Sequence, residues 1–163
     1  MELAIAKLFG IRQNIIVPNI SWGLSGMHEC DLFIIKKSGI VVEVEIKRTK
    51  SDFLADFKKG HHHFDKKHNR ISELYFAFPK DILDKCIELV PEGAGIILCE
   101  RFENYNGENV VSAYFKRESK KIRNSRKLTP EEQLKVAKLG CMRIWTLKQK
   151  IIKNGNNNTK TGN

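Results

Sequence analysis

The chain has little of what a membrane-spanning, secreted or zinc-binding protein needs. No apolar run approaches the roughly 20 residues that span a bilayer, and the first residues lack the basic and then apolar pattern of a secretion signal. Its 163 residues include four cysteines, none of them in CxxC spacing, which argues against a zinc site and a disulfide framework. These absences predict a cytoplasmic protein without membrane contact, whose cysteines are small apolar core residues.

Acidic residues are scarce in the last third of the chain. Residues 116–163 carry 14 basic and 3 acidic side chains, whereas residues 1–115 carry 15 basic and 16 acidic ones. The net charge of +10 therefore comes from the last third. Such asymmetry predicts a polyanionic partner, because basic side chains that neutralise phosphates release counterions. A basic tail that only keeps the chain soluble is the alternative.

The apolar pattern predicts an α/β domain. Strands are expected at 15–17, 32–35, 40–42, 73–78, 94–99 and 110–115, and helices over 2–10, from an N-cap at Ser51, after Pro79, and from Thr129 to about Lys153. The second and third strands are joined by a four-residue turn, which favours a hairpin. Strands that alternate with helices in the middle of the chain predict partly parallel pairing.

The last predicted helix sets the domain boundary. Thr129 is a good N-cap and Pro130 suits the first helical position. The helix is amphipathic, so Trp145 on its apolar side is expected in the core. We therefore predict one domain over residues 1–153 and a disordered polar tail over 154–163.

Charged residues interrupt two of the predicted strands. The segments are Glu29-Cys30-Asp31 and Glu43-Val44-Glu45-Ile46-Lys47. Side chains alternate along a strand, so Glu43, Glu45 and Lys47 share one face. In a hairpin, Asp31 can lie opposite the end that carries Glu45.

This arrangement suits metal-assisted hydrolysis of a phosphodiester. Two carboxylates match Mg²⁺, which takes few protein ligands and keeps waters and substrate phosphates. The metal would polarise the phosphate and lower the pKa of a bound water, and Lys47 would hold that water or offset developing charge. The alternative is a solvated strand face whose Glu and Lys side chains form cross-strand ion pairs.

At these residues the chain resembles the PD-(D/E)XK nuclease superfamily. Within it, four segments are similar to the MmcB-like, DNA-repair-associated branch: Val44-Glu45-Ile46-Lys47, Ser51-Asp52-Phe53-Leu54-Ala55-Asp56, Glu73-Leu74-Tyr75-Phe76-Ala77-Phe78-Pro79 and Glu92-Gly93-Ala94-Gly95-Ile96-Ile97. The likeness covers roughly residues 25–100. It implies a restriction endonuclease-like mixed central sheet flanked by helices, with a long C-terminal helix.

The resemblance also implies roles for single residues. Asp31 and Glu45 would be the metal ligands, for Mg²⁺ or Mn²⁺, and Lys47 the catalytic lysine. Many members add a glutamate from the first helix, for which Glu2 is the candidate. Cys30 stands where the family usually has proline. Glu29 and Glu43 are lesser candidates, and Glu43 marks either a second metal position or an exposed strand end.

Basic side chains outside this motif are candidates for holding DNA. Those on the helix after Ser51 could line a substrate groove or simply face solvent, and those after residue 115 form the densest basic run; the candidates are Lys58, Lys59, Lys116, Arg117, Lys120, Lys121, Arg123, Arg126 and Lys127. Three adjacent histidines, His61-His62-His63, point in different directions on a helix, so a half-exposed face near phosphate is favoured over a metal site.

The sequence thus predicts a metal-dependent DNA endonuclease of repair or processing. A non-catalytic or weakly active DNA-binding module of the same fold is the alternative. DNA is the predicted partner, and the sequence leaves open a homodimer or a partner protein with which it cuts.

Overall fold

The structure, a computed structural model, describes residues 1–20, 29–58 and 70–158, with backbone alone at 56–58 and 155–158. It has four helices, six strands and one 3₁₀ turn within these ranges. In chain order these elements are α1 Glu2–Leu8, β1 Ile15–Ile20, β2 Cys30–Ile35, β3 Val41–Ile46, α2 Lys50–Lys58, β4 Ile71–Pro79, α3 Lys80–Cys86, the 3₁₀ turn Ile87–Leu89, β5 Gly95–Glu103, β6 Asn109–Arg117 and α4 Pro130–Asn158.

The six strands form one mixed sheet in chain order, β1 to β6. The pairs β1–β2, β2–β3 and β5–β6 are antiparallel, while β3–β4 and β4–β5 are parallel. Parallel neighbours need a crossover, and α2 and α3 lie in the two crossovers. The prediction of an α/β fold is confirmed: a mixed central sheet is flanked by helices and followed by a long C-terminal helix.

The hairpin predicted for β2 and β3 is confirmed, because the turn between them suits its residues. The Lys36 amide donates to the Ile40 carbonyl at 2.8 Å, and the Gly39 amide donates back to the Lys36 carbonyl at 2.8 Å. Gly39 has a φ of +81°, a conformation that glycine adopts without steric cost. This local turn sets the register of β3 against β2 and hence the placement of every charged side chain on β3.

The two predicted boundaries with local signals have different outcomes. The N-cap predicted at Ser51 is wrong: it is Thr49, because the Thr49 hydroxyl accepts the Asp52 amide at 3.0 Å. Pro18 suggests either the end of the first strand or an edge strand, and the second is confirmed, since β1 continues through it to Ile20. Since β1 lies at the sheet edge, the missing N–H of Pro18 costs no ladder bond.

The start of α4 is a capping box, as its sequence predicts. The Glu132 amide donates to the Thr129 hydroxyl at 3.3 Å, and the Thr129 amide donates to the Glu132 carboxylate at 3.0 Å. The helix then runs to Asn158, beyond the expected end near Lys153. Residues 159–163 of the predicted tail lie outside the described residues.

Different clusters of apolar side chains pack on the two faces of the sheet. On the first face, α1 places Ile5 and Phe9 against β2, β3 and β4. On the second face, one cluster joins β1 and β2 to α4 through Val136, and another joins β4 and β5 to α2 and α3 through Phe53. The middle of the second face, where β3 runs, lies between these two clusters.

Only the first part of α4 packs on the body. Val136 is buried, and Gly140 lies so close to β1 that an added Cβ would stand 3.1 Å from the Val17 Cγ2 atom. Every residue from 141 to 154 is exposed. The prediction that Trp145 belongs to the core is wrong, since it is 64% exposed, and Cys141 is exposed whereas Cys30, Cys86 and Cys99 are buried as predicted. The helix continues beyond the edge strand, where the sheet offers no further surface to cover its apolar side.

Candidate active site

Three charged side chains of β3 and its end are buried inside the protein. Glu43 is 0%, Glu45 7% and Lys47 4% exposed, so the alternative of a solvated strand face is wrong. Two carboxylates and an ammonium removed from water cost several kcal/mol each unless they compensate one another. We call Asp31, Glu43, Glu45 and Lys47 the ionic cluster.

The sheet register places this cluster between two apolar clusters. Glu43 pairs in register with Phe33 of β2 on one side and Leu74 of β4 on the other. Glu45 is level with Phe76 of β4. Because Val42, Val44 and Ile46 pack on the first face, the alternating charged side chains are directed to the second face.

Glu45 and Lys47 form the tightest contact in the cluster. The Lys47 ammonium donates to Glu45 Oε2 at 2.8 Å. Burial, and next the neighbouring Glu43, raise the pKa of Glu45 to about 7, although Lys47 acts to lower it. The other oxygen, Oε1, is buried without a hydrogen-bond partner among the described residues. This carboxylate therefore has an electron pair available for a ligand and a strained electrostatic environment.

Asp31 reaches the same place from β2. Leu32 pairs with Val44, so Asp31 and Glu45 occupy the next position along the two strands. The Ile46 amide donates to Asp31 Oδ2 at 2.6 Å, which fixes this carboxylate against the end of β3. Its charge contributes to the raised pKa of Glu45. The structure thus brings together Asp31, Glu45 and Lys47, the three residues predicted to be catalytic.

The remaining predicted acids are placed differently. Glu43 is fully buried beside Glu45, so the alternative of an exposed strand end is wrong. Glu29 is exposed just before β2. Glu2 is exposed on α1, which covers the first face of the sheet, whereas the ionic cluster faces the second. The structure does not bring Glu2 among the charges that influence Glu45.

The cluster fits a hard cation with few protein ligands. Among residues 1–20, 29–58 and 70–158, no group of three or more Asp, Glu, His or Cys side chains is arranged to hold a metal ion. A magnesium site does not need three, because Mg²⁺ retains several waters and is commonly held by one or two carboxylates. The buried, unbonded Oε1 of Glu45 is the oxygen that such an ion would satisfy, and Asp31 would supply the second carboxylate.

Cys30 borders this cluster as an inert thiol. It is 2% exposed, and burial, followed by the charges of Glu43 and Glu45, raises the pKa of its thiol far above the ordinary range. The thiol therefore stays protonated and acts as a small apolar side chain. This agrees with the interpretation of Cys30 as a core residue that stands at the position of the family proline.

A cleft that the sequence did not indicate opens beside Arg48, just after β3. Its volume is about 1080 Å³, and its lining includes Arg48, Lys80, Asp81, Glu100, Arg101 and Tyr114 but no member of the ionic cluster. Lys80 is bound to Glu100 at 2.8 Å. Arg48 follows the end of β3 and Lys80 the end of β4, two parallel neighbours whose carboxyl ends meet at one edge of the sheet. That shared edge is the signal by which these cations could have been found.

The basic run after residue 115 divides into two kinds of side chain. Arg117 donates to the carbonyls of Val90, Pro91 and Ala94 at 2.8–3.2 Å. Arg126 forms two bonds to Glu132, at 2.6 and 2.7 Å. Both guanidinium groups therefore stabilise the body. They therefore have fewer N–H groups left to donate to a phosphate.

Other members of the run remain accessible. Lys120 contacts Glu92 in an exposed pair. Lys116, Lys121, Arg123 and Lys127 are exposed. Of the earlier candidates, Lys59 and His61-His62-His63 lie outside the described residues, as does the side chain of Lys58. The role of the whole set in DNA binding stays a prediction.

Comparisons with known proteins support the fold alone. No protein-family model and no curated protein matches the chain. One solved structure, described as "SPO1766 protein of unknown function from Silicibacter pomeroyi", is similar with a TM-score of 0.59 and 16% identity, over 93% of this chain and 88% of that one. At this identity the likeness shows shared architecture.

Within residues 1–20, 29–58 and 70–158, no helix combines the length and the apolar character of a membrane span.

Proposed function

We propose that this protein is a metal-dependent DNA endonuclease that hydrolyses phosphodiester bonds in DNA repair or processing. The observation that carries the proposal is the burial of Glu43, Glu45 and Lys47, at 0%, 7% and 4% exposure, beside Asp31. A buried ionic group is a weak source of stability, and apolar residues of similar size are often as stable or more so. Its retention here is explained by chemistry that needs these groups.

Each residue of the ionic cluster that takes part has its own role in the proposed reaction. Asp31 and Glu45 would hold Mg²⁺ or Mn²⁺, which when bound polarises the scissile phosphate and favours hydroxide formation from water. Lys47 keeps Glu45 Oε2 fixed at 2.8 Å, and the positive charge of its ammonium would offset the charge that develops on the reacting phosphate. The Ile46 amide holds the Asp31 carboxylate in place at 2.6 Å. This arrangement resembles that of the PD-(D/E)XK nucleases.

The charge distribution supports DNA as the substrate. The exposed cations of the basic run would contact phosphates, and Arg48, Lys80 and Arg101 add positive charge to the lining of the cleft. A duplex or single strand carries one phosphate per nucleotide, so both groups could track its backbone. Contacts of this kind position the substrate without reading its sequence.

A second function, a DNA-binding module without cleavage, has its own support. Lys47 already neutralises Glu45, and one oxygen of Asp31 is already bonded to the Ile46 amide. In such a module the ionic cluster would be a remnant that no longer binds metal. Salt-sensitive DNA affinity would then persist without any strand breakage.

The test compares strand breakage by wild type with three substitutions, Asp31→Asn, Glu45→Gln and Lys47→Met. Plasmid, single-stranded and branched DNA are incubated in Mg²⁺ and in Mn²⁺. We expect each substitution to lower the cleavage rate by about 100-fold or more, as expected when a group that stabilises the transition state is lost.

The matched control is Glu73→Gln, which removes another Lys–Glu contact of 2.8 Å, that of Lys36 with Glu73. It should cleave at the wild-type rate. Equal cleavage by all variants would assign the activity to a contaminant, and absence of cleavage on every substrate, with DNA affinity retained, would favour the binding module.

A further inference from the structure

The exposed end of α4 carries an apolar stripe. Its members are more than half exposed and lie on one side of the helix: Ile144, Trp145, Leu147, Ile151 and Ile152. At about 100° per residue they span an arc of about 160°. Lys148 falls at the centre of this arc, and its ammonium lies 5.1 Å from the centroid of the Trp145 ring.

The stripe is about as large as the largest apolar patch of a typical monomer. Burying an aliphatic side chain removes on the order of 100 Å² from water, so five side chains offer on the order of 500 Å². The largest apolar patch of a monomer is about 300–600 Å² and is often functional.

The charges around the stripe indicate which kind of molecule could cover it. Arg143, Lys148, Lys150 and Lys153 lie on this part of the helix, and no acidic residue follows Glu132 in the chain. Two copies packed stripe to stripe would bring eight positive charges together.

The position of Lys148 favours another helix over a membrane as the partner of the stripe. In a membrane, an ammonium at the centre of the apolar arc would have to reach around the helix to the lipid headgroups. Against another helix, a central lysine is satisfied by one carboxylate opposite it, which also fixes the register of the pair.

We propose that the α4 apolar stripe docks an acidic amphipathic helix of another protein. The partner helix packs aliphatic side chains against Ile144, Leu147 and Ile151, and it places a carboxylate against Lys148. Acidic residues along its margin face Lys150. The stripe is separate from the ionic cluster, so this docking is independent of the proposed cleavage.

The test uses two synthetic helical peptides with leucine at the heptad a and d positions, one with glutamate and one with lysine at the others. Binding to the full chain is measured by calorimetry and by the fluorescence of Trp145. We expect the glutamate peptide to bind at least about tenfold more tightly than the lysine peptide. The substitution Lys148→Glu should reduce or reverse that preference, and Ile144→Ser with Ile151→Ser should abolish binding.

The control is Gln149→Ala, on the polar side of the helix, which should bind as wild type does. Equal affinity for both peptides would overturn the proposal. So would binding to vesicles of anionic phospholipid with no peptide binding, or a dimer in light scattering that Ile144→Ser with Ile151→Ser dissolves. A clear fall in Tm for that double variant alone would show that the chain's own residues cover the stripe, which also overturns it.

Discussion

The ionic cluster and the apolar stripe of α4 depart from the usual distribution of residues in opposite ways. In the first, Glu43, Glu45 and Lys47 are buried at 0–7% exposure. In the second, aliphatic side chains and Trp145 are 56–64% exposed. Soluble domains ordinarily place charge outside and large apolar groups inside. Each region therefore costs the isolated chain something, in stability for the cluster and in solubility for the stripe.

The comparison shows that the stability cost of the cluster and the solubility cost of the stripe can be relieved in different ways. The cluster is covered by the chain itself, so it can be relieved by an ion or by a change of protonation at the same place. The stripe side chains are exposed, and we propose that a separate molecule covers them. Substitutions in the first region should therefore change the stability of the isolated chain, and those in the second should change association.

The largest effect should come from Lys47→Met. It leaves Glu43 and Glu45 side by side without the lysine, and loss of one partner of a buried ionic set costs about 3–5 kcal/mol. Urea unfolding at pH 8 measures this loss of unfolding free energy. The loss should shrink at pH 5.5, because the Glu45 carboxyl, whose pKa is raised to about 7, binds a proton there.

The control for this prediction is Lys36→Met, whose partner Glu73 is on the rim of the sheet, and which should cost about 1 kcal/mol or less. Equal losses for the two lysines would mean that burial does not distinguish the pairs.

The substitution Glu45→Gln should have the opposite effect and stabilise the folded protein. The pKa of Glu45 is raised from its usual 4.5 to about 7, so the folded state holds a proton that the unfolded state has lost between these values. Wild-type stability therefore falls as pH rises from about 4.5 to 7. Glutamine does not titrate, so the variant should be more stable by on the order of 1–3 kcal/mol at pH 8 and show no such gain at pH 4. A variant that is less stable than wild type at pH 8 would contradict this prediction.

Magnesium should relieve the same repulsion in wild type. If the dissociation constant is near 1 mM, 10 mM Mg²⁺ stabilises the folded state by about 1.4 kcal/mol. Thermal unfolding with and without the ion measures this, with K⁺ at equal ionic strength as the reference. The stabilisation should be larger at pH 8 than at pH 6, because the ion competes with the proton on Glu45, and it should vanish in Glu45→Gln. An equal shift in both proteins would locate the ion elsewhere.

The smallest effect on stability should come from Ile151→Ser in the stripe. The side chain is 61% exposed, and surface substitutions usually change the free energy of unfolding by no more than about 0.5 kcal/mol. Chemical unfolding measures the change, and light scattering at high concentration should show less aggregation than in wild type. Val136→Ser, at a buried position of the same helix, is the contrast and should be strongly destabilising.

Much of the fold could be predicted because its signals are local. The turn over Lys36 and Gly39, the capping box at Thr129 and the alternation of Glu45 with Lys47 are all decided by residues a few positions apart. The candidate site was predictable for the same reason: a hairpin with that turn brings Asp31 next to Glu45. Element ends were less predictable, as at Pro18, since an edge strand tolerates a residue that an inner strand does not.

The fate of single side chains depended on distant segments. Arg117 was a candidate for DNA, yet it donates to carbonyls of residues 90–94, which no local pattern connects to it. Trp145 lies on an apolar side that implies a core, yet the sheet ends before reaching it. Glu43 was as compatible with solvent as with burial until Phe33 and Leu74 were placed on either side.

The sequence by itself determined the order and kind of the elements, the hairpin, and which three charged residues the hairpin brings together, because hydrogen-bonding turns, caps and strand alternation act over short distances. Tertiary structure alone decided that the charges of β3 are buried between two apolar clusters and that the end of α4 is left uncovered. Burial depends on which surfaces meet, and contacts between residues far apart in the chain decide that.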